Sequence, residues 1–318
     1  MRTRTAFLVI AAMWAALLPQ HSVRAQSNVV TLTLERSTNG LSNWQTIQVT
    51  TNTVPASVNA FYRMKIAALA PDNMISVQGG TLPQSSQLAG TVVETFRIGK
   101  YEVTWDEWQK VRGWAVSNGY TDIRVGAGSA SDHPVREISW YDALKWSNAR
   151  SEMEGLTPVY KVAGAVYRNG DFGWSSASEV QVDDAANGYR LPSEAEWEWA
   201  GRGGASSQGF IFSGSNDVNQ VAWYAGNSSG AVVTVFDGLG TWPVGQKLPN
   251  ELGIHDMSGN MIEWVFDKSE YSIDRHLRGG AFNSPEDLQC AVATRYQYTR
   301  DPGGTGENIG FRVARNAP

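Results

Sequence analysis

Gly253-Ile254-His255-Asp256-Met257-Ser258-Gly259-Asn260-Met261-Ile262-Glu263-Trp264 sets a turn, two glycines and two carboxylates in one short run. The run closes on an acid held between apolar side chains. Asp256 and Glu263 are hard oxygen ligands, and a turn at Gly259 exposes backbone carbonyls between them. Carboxylates and carbonyls from a short irregular segment are the donors that Ca²⁺ takes. The same residues serve equally well as a Gly-Asn turn with a solvated acid, and this run alone does not choose.

Working outward, other runs recur in a fixed order. They are Phe96-Arg97-Ile98-Gly99-Lys100-Tyr101-Glu102-Val103-Thr104, His133-Pro134-Val135, Tyr189-Arg190-Leu191-Pro192-Ser193-Glu194-Ala195-Glu196-Trp197-Glu198, Arg278-Gly279-Gly280 and Asn308-Ile309-Gly310-Phe311-Arg312. Together, over Met74 to Arg315, they resemble the sulfatase-modifying-factor family, to which formylglycine-generating enzymes belong. The resemblance implies an α+β, C-type-lectin-like (formylglycine-generating enzyme-like) fold that is rich in loops. It also implies one calcium site, formed by Asp256, the carbonyls of Gly259 and Met261, and Glu263. A second family calcium site draws on an Asn near Trp223, where this chain has Val221.

The N-terminus bears on the compartment. Arg2 and Arg4 precede an apolar stretch from Ala6 to Leu18, and Val23-Arg24-Ala25 supplies small residues before a cut. This pattern predicts a secretory signal peptide over residues 1–25, too short for a membrane span. No other stretch is apolar enough to cross a bilayer, so the expectation is a secreted or periplasmic (cell-envelope) protein. Removing those residues leaves 23 cationic against 31 acidic side chains, a net charge of −8. That sign does not favour nucleic acid or anionic lipid. The single cysteine, Cys290, excludes a disulfide scaffold and a Cys-based zinc site. The 13 Trp and 32 Gly suit a loop-rich core filled by large aromatics.

Residues 27–70 read as a small all-β unit. Val30 to Leu34, Gln48 to Thr50 and Phe61 to Ile66 alternate at period two, and Asn39-Gly40 is a turn signal. A unit of this length is marginal alone. It serves either as a stalk or attachment module or as a packing extension, with Ala70-Pro71-Asp72-Asn73 as the junction. In the larger domain, three capping boxes mark helix starts: Thr104…Glu107, Ser139…Asp142 and Ser193…Glu196. The second helix is predicted over Trp140 to Met153, stopped at Gly155, and the third ends at Gly201 or Gly203. Glu194, Glu196 and Glu198 sit where the helix dipole favours acids. Regular structure should be sparse from Gly201 to Gly253, which is rich in Gly, Ser and Asn.

The resemblance weakens at the catalytic positions. It implies two cysteines that hold copper as thiolates, suited to soft Cu(I), shortly after the Gly-Gly motif. Ser284 falls at the first of these positions and Gln289 or a neighbour at the second. Cys290 matches only by a slip of one and has no partner thiol, so copper is not expected. Ala281 replaces the family's serine after Gly-Gly, and Ile262 a family tryptophan. Arg295 and Asn308 fit the family's arginine and asparagine, leaving Cys290, Arg295 and Asn308 as the catalytic candidates. Cys290 also reads as a small buried hydrophobe, and Arg295 as a structural hydrogen-bonding group. Other relatives of the domain are nonheme iron enzymes that form sulfur–carbon bonds. Here His21, His133, His255 and His276 lack their His-x3-His-x-Glu spacing. Only His255, His276 and an acid remain for iron, against satisfied or exposed histidines.

Two functions follow. The first is a calcium-braced binding module for a protein or small-molecule ligand, its variable loops on a rigid base. Arg295-Tyr296-Gln297-Tyr298-Thr299 would line such a face, or would simply pack. The second is a divergent formylglycine-generating oxidase or another metal-dependent oxidase. The missing thiol pair favours the first.

Overall fold

The computed structural model describes residues 28–36, 45–54 and 73–317, apart from 172–179, 232–236, 271, 286 and 296–298. The expected signal peptide, the Asn39-Gly40 turn, the expected strand Phe61 to Ile66 and Tyr296-Gln297-Tyr298 lie outside these residues. The chain divides into two units, residues 1–68 and 69–318. In the first, strands β1 (Asn28–Arg36) and β2 (Gln45–Val54) pair antiparallel, with an irregularity between Leu34 and Glu35. Both cover the segments whose alternation predicted them and run beyond them.

In the second unit, strands β3 (Met74–Val77), β4 (Gly80–Thr81), β5 (Val92–Val93) and β6 (Phe96–Gly99) lead into helices α1 (Trp105–Val116) and α2 (Trp140–Met153). Short strands β7 (Tyr160–Val162), β8 (Ala165–Val166) and β9 (Gln181–Val182) precede α3 (Glu194–Gly201) and the single-turn α4 (Val218–Val221). Then come β10 (Ile262–Lys268), β11 (Arg275–Arg278), β12 (Thr299–Arg300), β13 (Ile309–Gly310) and β14 (Ala314–Asn316). One sheet runs β12-β11-β10-β13, with β10 and β13 parallel. A second runs β14-β6-β3, joining the beginning of the domain to its end.

All three helix starts follow from their capping boxes. The Thr104, Ser139 and Ser193 side chains accept the backbone N–H of Glu107, Asp142 and Glu196, and those acids reach back to the cap N–H groups. Helix α2 stops where predicted: Gly155 adopts φ +74°, and the Leu156 N–H closes on the Ser151 carbonyl. Eleven of its fourteen residues are buried, so it forms the centre of the domain. Even Lys145 on this helix is fully buried, with Nζ 2.9 Å from both Asp122 and Asp171.

Trp108 and Trp146 stack at 5.8 Å, and Phe311 meets both rings edge-on at 6.0 and 5.4 Å. This arrangement fills the space between the helices and the C-terminal segment with favourable aromatic geometry. Among the described residues, every fully buried tryptophan finds an acceptor. Trp108, Trp140, Trp146 and Trp264 donate to backbone carbonyls, and Trp197 donates to Glu263. Phe311→Ala would leave a cavity under both indoles, and unfolding in denaturant should show a loss of about 3–5 kcal/mol.

Candidate functional site

The run that opens the sequence folds into a tight loop before β10. Gly253, Asp256, Gly259 and Asn260 all take positive φ, at +81°, +56°, +77° and +61°. For Asp256 and Asn260 this is a sparsely populated region, of the kind that gathers at functional sites. Gly259 is obligatory, because a Cβ there would lie 2.3 Å from the Trp223 carbonyl oxygen. Asn260 then ties three segments together. Its Nδ2 donates to Glu102 at 2.7 Å and to the Trp242 carbonyl, and its Oδ1 accepts the Trp242 N–H at 3.0 Å.

Three carboxylates gather under this loop, all nearly or fully inaccessible: Glu102, Asp256 and Glu263. Arg312, also fully buried, reaches Glu263 with Nε at 2.8–2.9 Å and Nη2 at 2.7 Å. Nη1 and Nη2 also donate to the carbonyls of Gly99 and His255 respectively. Trp197 Nε1 takes the outer position on Glu263 at 2.8 Å. A carboxylate offers about four acceptor positions, and three N–H donors from Arg312 and Trp197 occupy most of those of Glu263. Asp256 accepts the Gly245 N–H at 2.7 Å through Oδ2, and its Oδ1 takes no hydrogen bond among the described residues. Glu102 accepts one donor on each oxygen, from Met261 N–H and Asn260. It is the site residue missed by sequence reasoning, although an acid beside Val103 and just before a helix cap signals a buried role.

One guanidinium therefore faces three acids. Burial first, then the neighbouring charges of Asp256 and Glu263, pushes the Glu102 carboxyl well above its usual range. Burial likewise lifts Asp256 to about 6, while the Gly245 hydrogen bond and Arg312 pull it down. Burial thus favours the neutral form of both carboxyls, and only if both ionised would they match a divalent cation in charge. Asp256 Oδ1 and the second lone pairs of Glu102 are hard oxygen donors beside the carbonyl-bearing turn. Glu263 is paired with Arg312, so any part it takes as a ligand is shared with that guanidinium. Among the described residues, no three His, Cys, Asp or Glu side chains gather closely enough to hold an ion by themselves. Carbonyls such as those of Gly259 and Met261 would have to complete any such shell.

The catalytic candidates are engaged elsewhere. Cys290 is buried in a small cluster with Phe212, Val218, Val221, Ala222 and Ala291. Gly280, with φ +70°, packs directly on it: a Cβ there would lie 2.8 Å from Sγ. Burial, and then Asp287, pushes the thiol up to about 12, far from the depressed value of a reactive cysteine. Ser284 Oγ accepts the Ala281 N–H at 2.9 Å, closing a turn. Arg295 donates to Glu194 at 3.0–3.1 Å, and Asn308 donates to Asn283 at 3.0 Å. No hydrogen bond or ion pair joins any two of Cys290, Arg295 and Asn308 among the described residues.

The acids of α3 are structural. Glu194 and Glu198 bind Arg278 at 2.9 Å each, all three buried, and Glu196 pairs with Arg190 at 2.7 Å. His255 Nδ1 lies 2.9 Å from the Lys247 carbonyl, while His276 sits beside Arg295 and Glu194. Burial lowers the pKa of both histidines.

Two measurements follow from this geometry. Arg312→Met strands Glu263 among buried acids and should cost about 3–5 kcal/mol. The double variant with Glu263→Gln should recover part of that loss. The Cys290 thiol should resist a thiol-specific reagent at mildly alkaline pH in the folded protein and react once denaturant unfolds it.

The sulfatase-modifying factor enzyme 1-like domain matches residues 62–317. The chain is 34% identical over 272 residues to the chaperone protein LppX of Paenibacillus barcinonensis, covering 77% of this chain and 90% of that protein. It is 28% identical over 235 residues to the formylglycine-generating enzyme of Streptomyces coelicolor, covering 66% of this chain and 61% of the enzyme. Among solved structures, CarF superposes with a TM-score of 0.65 at 27% identity, over 78% of this chain and 99% of CarF. Treponema denticola variable protein 1 superposes with a TM-score of 0.60 at 28% identity, over 77% and 95%. With its ordered motifs and its fold, this chain belongs to the sulfatase-modifying factor enzyme 1-like domain family.

Proposed function

We propose that this chain is a non-catalytic, exported member of its family, a calcium-braced module that binds a protein or small-molecule ligand. One observation carries the reading. Copper-dependent oxidation in this family needs two thiolates, and this chain has one cysteine, buried under Gly280 with its thiol pushed up. Ser284 and Gln289 hold the neighbouring positions and offer no thiol. The chaperone name of the Paenibacillus relative supports a partner-binding role, and the leader-like residues 1–25 support export.

In this reading, Ca²⁺ binds at Asp256 and the carbonyls of Gly259 and Met261, with Glu102 as the second acid. Glu263 contributes through Arg312, which it holds beside the site. The ion would add rigidity to a loop whose backbone is strained at Asp256 and Asn260, and it would favour the ionised form of the two raised carboxyls. This chain's own residues supply the frame: Asn260 fixes the turn, Trp197 and Arg312 fix Glu263, and Gly245 orients Asp256.

Aerobic incubation of the copper-treated protein with a Cys-x-Pro-x-Arg peptide should leave the peptide cysteine unchanged by mass spectrometry. Conversion to the aldehyde would overturn the reading in favour of a divergent oxidase. Calcium at a hundredfold excess over its dissociation constant should raise the melting temperature by roughly 5–10 °C. Asp256→Asn should abolish that rise, and an unchanged melting temperature in chelator and calcium would remove calcium from the account.

A further inference from the structure

A cavity of about 270 Å³ lies between the start of β3, the end of β6, α1 and α2. Its apolar wall is formed by Met74, Val103, Val244 and Val313, with Tyr101 beside them. Its polar groups are of opposite sign. Arg150, on α2, is only 11% exposed and held rigidly: its guanidinium lies 4.2 Å from the Tyr189 ring and 5.6 Å from the Trp146 ring, and Nε donates to Glu154 at 3.0 Å. Its two terminal nitrogens donate no hydrogen bond among the described residues. Glu107, on α1, faces it with Oε1 at 3.9 Å from Nη1, beyond hydrogen-bond reach. Glu107 Oε2 is committed to the Thr104 N–H as part of the helix cap. The cavity thus presents a fixed donor fork and an unused carboxylate oxygen, a few ångströms apart, against an apolar wall.

We propose that this cavity binds a free amino acid with an apolar side chain. A guanidinium with both terminal nitrogens unused is a receptor for a carboxylate, which it meets with parallel hydrogen bonds. Glu107 Oε1, and Glu102 deeper in the wall, suit an ammonium group. An α-amino acid carries those two charges on one carbon, which fits a donor and an acceptor held this close. Bringing in both charges at once leaves the cavity's electrostatic balance unchanged. The apolar wall with a few oriented polar groups is the usual composition of a small-ligand pocket, and its size suits a single residue better than a peptide. Arg150 is prepaid in conformational entropy by its stacking, so little ordering remains to oppose binding.

The test is a calorimetric titration of the full chain with each of the twenty amino acids, in calcium and again in chelator because Glu102 is shared with the proposed ion site. One or more apolar amino acids should bind in both buffers. Their methyl esters, lacking the carboxylate, and their N-acetyl forms, lacking the ammonium, should fail. Glu107→Gln keeps the helix cap and should weaken binding by at least about tenfold with the melting temperature little changed. Arg150→Lys keeps the charge but loses the stacked fork; it should lower the melting temperature and, measured where it is still folded, weaken binding at least as much. The inference is overturned if no apolar amino acid binds at millimolar concentration. It is also overturned if ester and acetyl forms bind as well as the free acid, or if both folded variants bind like the parent.

Discussion

The pairing of Arg312 with Glu263 fixes the geometry of everything around it. One guanidinium joins the central sheet through Glu263, the β6 edge through Gly99 and the irregular loop through His255. Burying two charges is costly, and the cost is offset only where every N–H and lone pair is met. Here Trp197 adds a further donor to the carboxylate, and all three Arg312 nitrogens donate. Such a pair adds little to net stability over apolar packing. Its contribution is to exclude other registers, because any slip of β10 against the C-terminal segment would bury unpaired charge.

From that clamp follows the character of the site beneath it. Arg312 pairs with one acid, Glu263, while burial raises the carboxyls of the other two, Glu102 and Asp256. A loop with four left-handed residues in close succession is held over them by Asn260. Cys290, Val221 and Ala291 share one apolar cluster elsewhere in the domain. The fold and the lone thiol rest on different residues, so the family's fold does not depend on a thiol pair.

Much of this was legible in order of residues. The helix starts could be read because a capping box is local: donor and acceptor lie three residues apart, and the sequence contains both. The stop at Gly155 is equally local. Gly259 was legible as a turn, but what approaches it and Gly280, Trp223 and Cys290, lies elsewhere in the chain. The acids of α3 looked like dipole partners; in the fold, Glu194 and Glu198 instead hold the buried Arg278, which joins the chain about eighty positions later.

The sequence by itself determined the family, three helix starts, the stop of α2 and the absence of a thiol pair, since each rests on residue identity or on neighbours within a turn. Only the tertiary structure decided which acids share a site. Glu102 meets Asn260 and Met261 across nearly 160 residues, and Arg312 claims Glu263 across 49. Whether a carboxylate is a free ligand or half of an ion pair depends on who stands opposite it, and that is settled by packing, not by spacing.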